Sequence, residues 1–173
     1  HQILIIDNRF ISERVNQLRN WNMEFIQGDI LDKNLVEKYF KDADVVHHLA
    51  GVTSVPRTKS ESSESQDRKI KEVGETGTQN ILDIISDTCK IIFPSTHVVY
   101  EGIEEVKKDI KENEKTKPVL SYSSSKAINE EQLRKSGKNF IILRLGSVYG
   151  FSTDSMRIDI MPNLFSKIAS QNG

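Results

Sequence analysis

A single cysteine, Cys89, leaves no partner within the chain for an internal disulfide, so the composition fits a reducing compartment and the cytoplasm is the expected location. Long apolar runs are missing as well. Nothing approaches the roughly 20 residues that a spanning helix requires, and 36% apolar residues with 28% charged argue the same way, so a transmembrane protein is excluded. The chain also lacks an excess of either charge. Its 24 Lys plus Arg stand against 25 Asp plus Glu, a formal net charge of -1, which removes any global electrostatic case for nucleic acid or an anionic membrane. Small molecules or other proteins are the expected partners. With 173 residues the chain is the size of one ordinary domain. It opens on His1 rather than Met, without a signal peptide's basic start and long apolar core, and reads as the middle of something longer.

What is present is alternation. Short β-branched runs at 2–7, 23–27, 43–49, 90–93 and 139–145 each end on an acid, a small residue or a hydroxyl, the mark of buried parallel strands. Helical patterns lie between and after them, near 10–19, 33–41, 66–87, 122–136 and 160–170. In the third, Ile70, Val73, Gly77, Ile81 and Ile84 recur at steps of three and four, a one-sided stripe. The expected class is α/β with a mainly parallel sheet. Two polar stretches, 53–69 and 101–117, read as surface loops, the second with six acids and five bases. Each is either a solvated rim or a mobile lid, because both leave the carboxyl ends of strands, where open parallel sheets build their sites.

The chemistry starts at Tyr122, followed by three serines and Lys126. Tyr and Lys four apart on a helix share a face and can act on one substrate. Chance alone supplies about 0.4 such pairs in this composition, so context has to decide. Tyr122 opens a helical pattern after the loop that follows Pro94, Ser95 and Thr96, which brings a hydroxyl, a phenol and an ammonium toward one point. Lowering a phenol from pKa 10 to about 7 takes roughly 4 kcal/mol. One ammonium at about 4 Å in an effective dielectric near 20 supplies that much. Lys126 is thus expected to tune Tyr122 as a proton acceptor, with Thr96 holding the reacting oxygen. Asp7, at the tip of the first strand, can accept from an adenosine ribose and would repel a 2'-phosphate, favouring NAD over NADP. Asp29 ends a second strand; Ala50 and Gly51 end a third and lack the bulk that would block a dinucleotide. His47 and His48 are neighbours on a strand, point to opposite faces and read as packing residues. No metal site is expected.

As an ordered set these motifs resemble the extended short-chain dehydrogenase/reductases, and within them the NAD-dependent epimerase/dehydratase group that acts on nucleotide sugars. The resemblance runs along essentially the whole chain. It is carried by Ile5 to Asn8, Gly28 to Ile30, His48 to Gly51, Gly77 to Leu82, Ser95 to Tyr100, Tyr122 to Lys126 and Leu143 to Gly150. It implies a Rossmann-like doubly wound parallel sheet over 1–173, with 151–173 opening a substrate-binding region. It makes Tyr122 the catalytic acid/base, Lys126 its partner and a ligand of the nicotinamide ribose, and Thr96 the third catalytic hydroxyl. Asp7 and Asn8 would hold the adenosine ribose, and Asp29 and Ile30 the adenine. Leu49, Ala50, Gly51 and Thr53 would face the pyrophosphate and nicotinamide side, with Leu145 near the nicotinamide and Ser147 near the sugar. A homodimer through a four-helix bundle of the 66–87 and 122–136 helices is the family expectation.

The departures carry information too. None of the nine glycines has the G-x-G-x-x-G or G-x-x-G-x-x-G spacing ahead of a helix. The order 3-2-1-4-5-6 places the strand that bears them between those ending at Asp7 and Leu49, so the sheet is expected to have a gap there and the chain to lack its amino end. Most of the substrate part is likewise expected to lie beyond Gly173. Gly74 stands where the family usually has Asn, Ser147 replaces another Asn, and Phe151 replaces a Pro. After Thr96 come His97 and Val98 rather than the acid of dehydratases and decarboxylases, which favours epimerisation or ketone reduction over loss of water. His97 is either a substitute acid/base or a side chain at the pocket rim. A silent dinucleotide-binding protein is the alternative from another class.

Overall fold

The computed structural model describes residues 2–52, 59–151 and 157–172. Five strands alternate with helices: β1 Leu4–Asp7, α1 Ser12–Asn20, β2 Glu24–Gln27, α2 Lys33–Phe40, β3 Val45–His47, α3 Glu64–Lys71, α4 Gly77–Ile84, β4 Lys90–Thr96, α5 Ser121–Lys135, β5 Asn139–Leu145 and α6 Met161–Asn172. All ladders are parallel. β1 pairs with β2 in a sheet of two, and β3, β4 and β5 pair in that order in a sheet of three. This is the doubly wound order, and no described strand occupies the position between β1 and β3, so the expected gap is present.

Local chemistry sets most of the boundaries. Asp32 caps α2, accepting from the backbone N–H of Asn34 at 3.0 Å and Leu35 at 3.2 Å, and Ser63 caps α3 through Gln66 N–H. The second half of the polar stretch 53–69 is therefore helical rather than a loop, and 53–58 lies outside the described residues. The expected single helix over 66–87 is split by a π-helical turn at Glu72–Thr76. The wider turn leaves carbonyls for α5 to meet: Asn129 Nδ2 donates to Gly74 O and Gln132 Nε2 to Glu75 O, each at 3.0 Å. Gly74 has a packing reason, since a Cβ there would lie 2.3 Å from Ser125 Oγ.

The core joins the two sheets. Ile81, Leu82 and Ile85 pack with Ile91, Phe93 and Leu133, while Ile30 and Val36 reach in from the β1–β2 side. Asn80 fastens the seam, its amide donating to Ile30 O at 3.0 Å and Leu31 O at 3.4 Å. The stripe of Ile70, Val73, Gly77, Ile81 and Ile84 is turned inward, so it is used within the chain. β4 runs three residues past the expected end through Pro94, which pairs with Leu143 despite lacking an N–H. Among the described residues no helix is long and apolar enough to cross a membrane.

Candidate active site

The first cluster forms at the carboxyl ends of β1 and β2. Asp7 Oδ1 accepts Arg9 N–H at 2.8 Å and Asp29 Oδ1 accepts Leu31 N–H at 3.0 Å, so each carboxylate is fixed by the turn after it. Asn8 Nδ2 bridges across to Asp29 Oδ2 at 3.3 Å, and Gln27 Nε2 donates to Asn8 O at 3.2 Å. Three predicted residues, Asp7, Asn8 and Asp29, thus come together at one edge, where carboxylate oxygens with more than one lone pair can accept from a ribose or an adenine as well. Ile30 belongs to the core instead, 6% exposed and packed on Gly77. Only its backbone is left to face a ligand. After β3, Leu49 is 70% exposed and Gly51 stands in open space, where an added Cβ would meet nothing within 4 Å. Thr53 lies outside the described residues.

The second cluster forms where α5 crosses the end of β4. Lys126 Nζ donates to Pro94 O at 2.9 Å and sits 4.4 Å from the centre of the Phe93 ring and 6.0 Å from that of Tyr122. One hydrogen bond therefore ties the amine to the strand that ends in Thr96. Thr96 is buried, and its hydroxyl oxygen accepts Val98 N–H at 3.3 Å, capping a 3₁₀ turn at His97–Tyr100. The α5 amino end has no capping side chain at Leu120. Glu101 serves instead: its Oε1 accepts Val119 and Leu120 N–H at 2.8 Å each and also takes the Ser123 hydroxyl. That cap fixes the turn of helix on which Tyr122 stands.

The electrostatics depart from the expected tuning. Burial pushes the Tyr122 phenol above its ordinary range, and the cation that opposes this is Arg157, a residue the sequence reading missed. Burial lowers Lys126 to about 8. The amine is turned toward the Pro94 carbonyl, which explains why its charge does little for the phenol here. His48 is buried, with Nε2 2.8 Å from Thr78 Oγ1, and burial followed by the Lys126 charge pushes it down to about 3. His47 is exposed, so the two neighbours do face opposite ways. His97 Nδ1 lies 3.1 Å from Leu145 O at the rim of a cavity of about 600 Å³ shared with Tyr100, Glu101 and Arg144. Leu145 and Ser147 follow at the end of β5, both exposed.

The match with known proteins decides the family: residues 1–172 fit the NAD dependent epimerase/dehydratase family. The chain belongs to it. NAD is the cofactor of this family, and the acids at the first cluster, the open Gly51 and the phenol and amine at the second fit that group chemically. Similar curated relatives include the CDP-paratose 2-epimerase of Salmonella typhi, 32% identical, covering 75% of this chain and 44% of the relative. The dTDP-D-glucose 4,6-dehydratase of Dictyostelium discoideum is 30% identical, covering 86% of this chain and 38% of the relative. Among solved structures, the UDP-glucose 4-epimerase of Thermotoga maritima with UDP-glucose has a TM-score of 0.72 at 25% identity, over 87% of this chain and 49% of that one. The chain spans less than half the length of these three proteins.

Proposed function

We propose that the protein is a nucleotide-sugar epimerase in which this chain holds NAD and moves the proton. The observation that carries this is the seating of Lys126, 2.9 Å from Pro94 O, one helical turn from Tyr122 and on the strand that ends at Thr96. NAD, when bound, supplies a hydride acceptor that gives the hydride back. The chain's own part is acid and base work. Tyr122 takes the proton of a sugar hydroxyl, Thr96 donates a hydrogen bond to the same oxygen, and Lys126 holds a ribose hydroxyl; it stabilises the phenolate only once its amine leaves the Pro94 carbonyl that it meets here. Asp7, Asn8 and Asp29 anchor the adenosine end, with Leu49, Ala50, Gly51 and Thr53 along the middle. Leu145 and Ser147 face the nicotinamide and the sugar. The ketone formed turns over and is reduced on its other face. The 151–173 segment, whose α6 exposes Met161, Phe165 and Ile168, opens the substrate-binding part.

Epimerisation is favoured over loss of water by the residues that come after Thr96. The nearest downstream carboxylate, Glu101, is engaged in capping α5. His97 is turned to the Leu145 carbonyl. Gly74, which stands where the family usually has Asn, has a packing reason in the close approach of Ser125. The test is to incubate the intact protein with UDP-glucose and NAD and identify the sugar product. An epimerised hexose is expected, and Tyr122→Phe should lower its formation by about 100-fold or more. Accumulation of a 4-keto-6-deoxy sugar would establish a dehydratase instead, and undiminished turnover by Tyr122→Phe would remove the proton-transfer role.

A further inference from the structure

The carboxylate of Glu130 is completely enclosed, and four donors meet its two oxygens. Ser95 Oγ at 2.6 Å and Arg144 Nε at 2.9 Å reach Oε1; Arg144 Nη2 at 2.6 Å and Arg134 Nη2 at 2.9 Å reach Oε2. Burial pushes the carboxyl up, but the bonds from Arg144, Ser95 and Arg134 outweigh it and hold the group below the ordinary range. A buried ion pair is weak evidence for stability, because an apolar set of the same volume often serves as well. Direction is what apolar contacts do not supply.

The directions here converge on the second cluster. Glu130 stands one turn beyond Lys126 and two beyond Tyr122 on the same side of α5. Ser95 immediately precedes Thr96, and Arg144 immediately precedes Leu145. Arg144 Nη1 continues to the Tyr100 hydroxyl and to Glu112 O at 2.9 Å, while Tyr100 donates to Lys111 O at 3.2 Å. One carboxylate therefore links the helix with the phenol and amine, the two strand ends and the inner side of 101–117.

We propose that Glu130, through Ser95 and Arg144, is a positioning residue for Thr96, Tyr122 and Lys126, setting where α5 sits along the end of β4 and holding 101–117 to the rim of the site. This deepens the catalytic reading and rests on it. In the intact protein, Glu130→Gln keeps the shape and the Ser95 bond but removes the charge. The expected result with UDP-glucose is a kcat lower by about 10- to 100-fold, from sub-ångström displacement of reacting groups, with KM and NAD affinity within about threefold. Glu130→Asp, which keeps the charge, should fall between the two. Amide hydrogen exchange over 101–117 should quicken by about tenfold or more while β1 and β2 stay unchanged. That second reading needs no turnover. Arg144→Lys carries the same test should Glu130→Gln not fold. Unchanged exchange over 101–117, or exchange raised evenly through the chain together with equal losses of kcat and NAD binding, would overturn the proposal. Full activity in Tyr122→Phe would instead overturn the catalytic reading, leaving the exchange result to judge Glu130.

Discussion

His48 is a single imidazole whose surroundings fix its protonation. It is 3% exposed, bonded through Nε2 to Thr78, tilted against the Phe93 ring at 5.5 Å, and has no partner at Nδ1 among the described residues. Its folded pKa of about 3 lies below the ordinary 6.5, so folding favours the neutral form. Stability from this group is fully present above pH 6.5 and is lost as pH falls toward 3. Lys126, lowered to about 8, stays charged through that window. Urea unfolding measured between pH 6.5 and about 4.5 should therefore lose up to about 1.4 kcal/mol per pH unit, and His48→Gln should flatten the slope. A wild-type protein equally stable across that range would contradict a buried neutral imidazole. Spacing made Tyr122 and Lys126 visible in the sequence, because both partners lie on one helix. Glu130 and Arg144 were not visible: an acid on a helix reads as a solvated face until the strand arginine that neutralises it is placed beside it. Arg157 acts on Tyr122 from 35 positions further along, where no periodicity connects the two.

At the scale of elements, the alternation of apolar runs with amphipathic stretches was enough for the class and the parallel strand direction, while the strand order came with the family resemblance. The misses have local causes. The stripe from Ile70 to Ile84 keeps helical spacing straight through the π turn, so nothing in it announces the extra residue. Pro94 ended the predicted strand because proline cannot complete a ladder, yet its carbonyl is what Lys126 uses. The close approach at that π turn gives a measurable coupling. Gly74→Ala puts a methyl 2.3 Å from Ser125 Oγ and should destabilise by about 1 to 3 kcal/mol. Ser125→Gly removes the obstacle, so the double variant should recover a large part of that loss. Denaturant unfolding of the four proteins closes the cycle. Additive losses would mean that α5 yields freely and that Gly74 is not what sets its distance.

For the whole molecule, the break between β1 and β3 separates the two halves of the proposed site. The acids that suit the adenosine end stand on the two-stranded sheet, while Thr96, Tyr122 and Lys126 belong to the three-stranded sheet and its helix. Asn80 holds the two in register through the Ile30 and Leu31 carbonyls, helped by Gly77, which lets the Ile30 side chain approach to where a Cβ would stand at 2.3 Å. Asn80→Leu keeps the volume but leaves the Ile30 carbonyl unpaired, a loss of about 1 to 3 kcal/mol. Its effect on function should be uneven. A shift of one sheet against the other moves Asp7, Asn8 and Asp29 relative to the proposed proton-transfer groups without disturbing those groups among themselves. In the intact protein, NAD affinity measured by titration should therefore fall by about tenfold, whereas kcat at saturating NAD should stay within about threefold of wild type. The reverse result, a reduced kcat with NAD binding intact, would mean that the seam supports the chemistry directly and that the two sheets do not divide the work in this way.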